Sequence, residues 1–103
     1  MAYSTTISAL ADPTRRQVVE LLSSGPKNVT QLAKQLPVSR PAVSQHLKVL
    51  SDAGLLTVKI SGTRRIYRLK PDGVNDLRDY LDRLWGDALS AFKDHIEKET
   101  DSD

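Results

Sequence analysis

The sequence contains no cysteine. That excludes disulfides, thiolate metal sites and cysteine nucleophiles. It has one methionine, one tryptophan and one phenylalanine. Only two histidines are present, His46 and His95, and the helical periodicity puts them on different elements. With no glycine-rich phosphate loop and no paired-carboxylate pocket, the residues do not support an enzyme. No apolar run approaches the ~20 residues that cross a bilayer. The first residues, Met1 to Thr5, lack a basic segment followed by an apolar one, so no secretory signal is expected and the cytoplasm is the expected compartment. Acids are scarce in the first 70 residues, which hold three (Asp12, Glu20, Asp52) against eleven Lys and Arg, a net charge of +8. Residues 71–103 hold ten acids and four bases, a net of −6. This asymmetry points to a polyanionic partner for the first part of the chain alone.

What is present is an ordinary globular composition in 103 residues, 39% hydrophobic and 27% charged, of a size expected to form a single domain over 1–103. A first helix is expected over about Thr5–Leu10. Asp12-Pro13 has the form of an N-cap followed by proline at the first helical position, opening a second helix that Gly25-Pro26 stops. Asn28 or Thr30 can cap a short third helix over Gln31–Leu36. Ser39 caps a fourth, with Arg40-Pro41 in its first turn and Gly54 at its C′ position. Residues 55–60 and 66–69 alternate as a hairpin around Ser61-Gly62-Thr63-Arg64-Arg65. Pro71-Asp72-Gly73 is expected to break the chain. One long helix then fits residues 74–97, followed by a frayed end from Thr100 to Asp103. The fold class is mostly α with a β-hairpin wing: a winged helix-turn-helix in the order α-α-α-α-β-β-α.

On a helical wheel the fourth helix separates two faces. Val43, Leu47 and Leu50 cluster on one; Pro41, Gln45 and Lys48 lie opposite, with Ser44 at the edge. Glutamine can pair in bidentate fashion with adenine, arginine with guanine or a phosphate, and lysine with phosphate. The sequence therefore nominates Ser39, Arg40, Pro41, Ser44, Gln45 and Lys48 for double-stranded DNA. His46 falls at the boundary of the buried arc, where a structural or phosphate-touching role is favoured over base reading. At the hairpin, Arg64 and Arg65 suit the minor groove or phosphates. An ordinary solvated helix face is an equal competitor for the fourth helix alone; its combination with a basic hairpin favours DNA over a module that binds protein or RNA.

The last helix carries a stripe of Leu77, Leu81, Leu84, Trp85, Ala88, Leu89 and Phe92, with Asp76, Asp79, Asp87 and Asp94 on the other side. So long an apolar stripe marks an interaction surface, here the expected seam of a homodimer.

Ala11-Asp12-Pro13-Thr14-Arg15-Arg16, the run from Ser39 through Leu47 with Leu50 and Ala53-Gly54-Leu55, and Gly62-Thr63-Arg64-Arg65-Ile66-Tyr67-Arg68-Leu69 together resemble the ArsR/SmtB family of bacterial repressors, over about residues 5–97. The resemblance implies a homodimer, operator binding, and repression relieved by a ligand. It also implies metal sites that this chain does not match. Where some members carry Cys-x-Cys, this one has Gln31-Leu32-Ala33-Lys34. Where others carry Asp and His, then His and Glu, on the last helix, it has Asp72, Val74, Trp85 and Ala88. No metal or cofactor is therefore expected, and nothing specifies an effector. His95 and Glu99 share a helical face and could supply two ligand pairs across a two-fold axis; a solvated pair at a helix end is the favoured reading.

Overall fold

The computed structural model describes residues 2–101, with side chains over 5–99. The elements in chain order are α1 (Ala2–Ala11), α2 (Pro13–Leu22), β1 (Lys27–Asn28), α3 (Val29–Gln35), α4 (Arg40–Asp52), β2 (Leu56–Ser61), β3 (Arg64–Leu69) and α5 (Pro71–Asp101).

Local chemistry places each boundary. The Asp12 carboxylate accepts hydrogen bonds from the backbone N–H groups of Thr14 (2.8 Å) and Arg15 (3.1 Å), capping α2 with Pro13 in its first turn. The next two residues turn back on α1. Arg15 Nε donates to the Ala9 carbonyl at 2.6 Å, and Arg16 Nη1 to those of Leu10 (3.0 Å) and Ala11 (3.1 Å). These cations satisfy carbonyls that the end of α1 leaves without helical partners. At α3 the cap is Asn28, in a reciprocal box with Gln31 closed by two 2.8 Å bonds. The helix therefore begins two residues earlier than its apolar spacing suggests. Ser39 caps α4. That helix ends with Leu55 N–H donating to Leu50 and Gly54 N–H to Ser51, around a Gly54 φ of +80°. This two-bond closure needs a left-handed residue, which glycine adopts without a Cβ penalty.

Val18, Leu32, Val43, Leu47 and Leu50 are fully buried at the centre of the core. They come from α2, α3 and α4, so the two helices of the helix-turn-helix are held by the same residues that seat them on α2. Burial of each such side chain is worth about 1.5–3 kcal/mol. Leu22, Leu36, Leu55, Leu56 and Tyr67 extend this cluster, and Ala9 brings in α1. Thr6 is buried too, its hydroxyl donating to the Ala53 carbonyl at 3.2 Å and tying α1 to the end of α4.

The hairpin differs from expectation in two ways. Ser61 pairs with Arg64, so the connection is only Gly62-Thr63, and Arg64 and Arg65 are strand residues of β3. Gly62, at φ +62°, takes the first central position, the place for glycine in a two-residue type II′ turn. The sheet also has a third strand. Lys27 and Asn28 pair antiparallel with Tyr67 and Ile66, giving the order β1-β3-β2. That pairing anchors the wing to the start of α3.

The segment Pro71-Asp72-Gly73 does not break the chain; it is the first turn of α5. Pro71 sits where its missing N–H costs no bond, and Val74 N–H donates to the Lys70 carbonyl at 3.1 Å. Gly73 lies directly against Gly54, and a Cβ there would collide with the Gly54 carbonyl oxygen. α5 continues through Asp101, beyond the expected end near Glu97. Of the end expected to fray, Ser102 and Asp103 lie outside the described residues, as do the side chains of Thr100 and Asp101.

α5 spans ~46 Å at 1.5 Å per residue and projects from the rest of the chain. The radius of gyration is 18.5 Å and the longest dimension 69 Å. A compact chain of this length would have a radius of about 13 Å. No described helix is long and apolar enough to cross a membrane.

Candidate nucleic-acid interface

The buried face of α4 fixes what its other face presents. With Val43, Leu47 and Leu50 at zero exposure, the side chains of Arg40, Pro41, Ser44, Gln45 and Lys48 face solvent. His46 is half-buried, as its boundary position requires. It lies near enough to Asp12 to act on its charge. The Asp12 carboxyl is held below the usual carboxylate range chiefly by the Arg15 backbone N–H; desolvation, second in size, opposes this, and the Thr14 N–H and the charges of Arg15 and His46 add smaller lowering effects. Ser39 is exposed, but its hydroxyl accepts from the Ala42 N–H as the helix cap, which leaves it less free for a ligand than the sequence alone suggests.

Arg64 and Arg65 are exposed on β3 and, with Arg40 at the start of α4, line one cleft between the helix-turn-helix and the wing. Residues that the sequence reading did not nominate line it too: Asn28, Thr30, Gln31 and Lys34 of the α3 region, and Thr63 of the turn. They come together through the pairing of β1 with β3. A two-residue strand has no periodicity to reveal it, though Lys34 was visible as one of the eleven cations of the basic segment.

The second surface is on α5. Leu77 is only 9% exposed, covered by its own chain. From Leu81 onward every described side chain is exposed, with Trp85 at 63% and Phe92 at 61%. Leu81, Leu84, Trp85, Ala88, Leu89, Phe92 and Ile96 occupy one arc of about 140°. The helix end carries a Lys93–Glu97 ion pair at 4.0 Å and a His95–Glu99 contact at 3.0 Å, both exposed. Exposed pairs of this kind are worth little. Among the described residues, no group of three or more His, Cys, Asp or Glu side chains is placed to hold a metal ion.

Residues 12–58, which run from the α2 cap to the middle of β2, match the family described as "Bacterial regulatory protein, arsR family". The HTH-type transcriptional regulator Rv2034 of Mycobacterium tuberculosis is 55% identical over 93 residues, covering 90% of this chain and 87% of the relative. This chain belongs to the ArsR family. It is a transcriptional regulator of that family rather than an enzyme. The arsenical resistance operon repressor of Staphylococcus xylosus is 32% identical, over 77% of this chain and 76% of the repressor. Among solved structures, a possible transcriptional regulator for arsenical resistance superposes with a TM-score of 0.73 at 46% identity, over 84% of this chain and 93% of that one. The homodimeric winged helix-turn-helix DNA-binding domain Mb0332 of Mycobacterium bovis superposes with a TM-score of 0.68 at 26% identity, over 84% and 79%. The winged helix-turn-helix expected from the residues is the fold of this family member.

Proposed function

We propose that this ArsR-family regulator is a homodimeric repressor that binds an inverted-repeat operator. The observation that carries the reading is the exposed polar face of α4, held rigid by the fully buried Val43, Leu47 and Leu50 on its other side. In a major groove, Gln45 pairs with adenine and Arg40 reaches guanine or a phosphate, while Ser44 and Pro41 allow close approach. Lys48 contacts backbone phosphate, Arg64 and Arg65 the neighbouring minor groove or phosphates, and His46 a phosphate at the edge. Two copies joined along the bare α5 stripe set two recognition helices about 34 Å apart, one turn of duplex, which makes the operator an imperfect inverted repeat. The homodimeric M. bovis neighbour and the staphylococcal repressor support dimerisation and repression respectively. Such a regulator works in the cytoplasm, where the DNA is.

A gel shift on the chain's own upstream region tests the reading. Gln45→Ala should cost about 1–3 kcal/mol on the specific site and relax base preference, while Lys48→Ala weakens all sequences alike. Unaltered affinity and base preference in a folded Gln45→Ala protein would remove α4 from the groove.

A further inference from the structure

Three successive carbonyls at the carboxyl end of α4 meet elements from outside the helix-turn-helix. The Ala53 carbonyl accepts from the Thr6 hydroxyl of α1 at 3.2 Å. The Gly54 carbonyl oxygen lies against Gly73 in the first turn of α5. The Leu55 carbonyl accepts from the N–H of Lys70, immediately before α5, at 2.8 Å. α1 also packs on α5. The end of the helix that presents Gln45 is thus held by α1 and by the start of α5. α4 has 13 residues, so its first turn, with Arg40 and Pro41, stands ~20 Å from that end. A small tilt set at Ala53 reaches the exposed face as an ångström-scale displacement.

Thr6 stands apart within this clamp. Among the described residues it is the one buried side chain that is neither aliphatic nor aromatic, at 6% exposure. Packing alone does not call for it. Valine fills nearly the same volume without a hydroxyl, whose burial costs free energy unless it is bonded. The use of the hydroxyl is its bond, which joins two helices 47 positions apart in the chain and satisfies a carbonyl left over at a helix end. Gly73 and Lys70 hold the turn through their backbone. Thr6 holds it through a side chain, which a substitution can remove without rebuilding the backbone.

We propose that Thr6 is a positioning residue for operator recognition: its hydroxyl sets the tilt of α4 relative to α5, and with it the distance between the two recognition helices of a dimer. The inference rests on the function proposed above, in which α5 forms the seam and α4 reads the half-site. The Ala53–Leu55 turn is where those two roles are joined.

Thr6→Val removes the hydroxyl and keeps the shape, while Thr6→Ser keeps the hydroxyl. Both full-length proteins are compared with the unmodified one on the upstream duplex, and on the same duplex with one base pair inserted between its half-sites. The insertion moves the second half-site by about 3.4 Å and about 35°. The unmodified protein should prefer the original spacing. Thr6→Val should reduce that preference by about two- to tenfold, the worth of one hydrogen bond, with base preference unchanged. Thr6→Ser should restore it. An equal loss on both duplexes, or no loss, would leave Thr6 a structural bond only and overturn the positioning role. A measurement without DNA separates this from the operator reading. Residual dipolar couplings of the backbone amides give the angle between α4 and α5, which Thr6→Val should change and Thr6→Ser should not. An unchanged angle in Thr6→Val overturns the proposal whatever that protein does on DNA. If the angle changes but the unmodified protein prefers no half-site spacing, Thr6 sets the helix and the inverted-repeat operator falls. Thr6→Ala, which also lacks the hydroxyl, is read in the same way if the valine variant does not fold.

Discussion

The chain from α1 to the start of α5 and the remainder of α5 are built on opposite terms. In the first, apolar residues at helical spacing are covered by the chain itself: Val18, Leu32, Val43, Leu47 and Leu50 have no exposure. In the second, residues of the same chemistry at the same spacing are left in water, and the changeover falls between Leu77, at 9% exposure, and Leu81, at 37%. Amphipathic periodicity therefore states only that a face will be covered. What covers it depends on whether the chain has enough surface to fold over it. Here the body closes after about two turns of α5 and leaves the rest of the stripe exposed; in the proposed function a second copy covers it.

The largest effect tests that division directly. Changing Leu81 and Trp85 together to glutamate should yield a folded monomer. Operator affinity should fall by about 10²–10⁴, because the second half-site is no longer held at high effective concentration by the first. Sedimentation equilibrium at micromolar protein, beside a gel shift, reads both quantities. An unmodified protein that sediments as a monomer would end the model of the seam.

The matching change in the body should do the reverse. Leu47→Ala removes a fully buried side chain and should cost about 2–5 kcal/mol, a large share of the roughly 5–15 kcal/mol that a domain has in total. Leu84→Ala removes an exposed side chain of the same type and should leave the unfolding of the monomerised protein nearly unchanged. Urea denaturation of both substitutions in the Leu81/Trp85 background compares them without the dimer. Equal costs would mean that α5 folds back on its own body in solution.

Gly73 joins the two regions and gives a smaller effect. Its Cα rests on the Gly54 carbonyl, so Gly73→Ala forces α5 away from the α4–β2 turn. Overpacking of this kind costs about 1–3 kcal/mol. Alanine is otherwise the better helix former by about 1 kcal/mol. A net loss of stability therefore supports the close approach, and a net gain would show that α5 does not cross there.

These elements also mark where the sequence was legible. The caps Asp12 and Ser39, the Gly54 closure and the exposed face of α4 were readable because each depends on residues within one turn of one another. The wing was readable as a hairpin, but its tip was not: only the pairing of Ser61 with Arg64 fixes the turn at Gly62-Thr63. Pro71 and Gly73 read as a break because both disfavour a helix interior. Proline is at home in a first turn, and the reason for Gly73 lies nineteen positions away at Gly54. β1 was invisible for the same reason, since two residues become a strand only by meeting Tyr67 and Ile66. The cleft that depends on β1 was hidden with it. Local chemistry was legible, and contacts across the chain were not.

The smallest expected effect concerns Asp12, whose role is local and electrostatic. Its folded carboxyl titrates below the ordinary carboxylate range, first because the Arg15 N–H binds the ionised form, with Thr14 and the charges of Arg15 and His46 adding to it. A group whose pKa is lower in the folded chain stabilises the fold at pH values above the unfolded pKa of about 3.9, and that contribution disappears as pH falls through the folded value. Asp12→Asn separates charge from capping, since asparagine caps as well as aspartate but carries no charge. At pH 7 the substituted protein should unfold at a slightly lower temperature than the unmodified one. The gap should narrow as pH falls below about 4 and close once pH has passed below the folded value, where both side chains are neutral, and added salt should narrow it at pH 7. A gap that stays constant from pH 7 to 3 would mean that the hydrogen-bond geometry of the cap, and not the charge of the carboxylate, stabilises the start of α2.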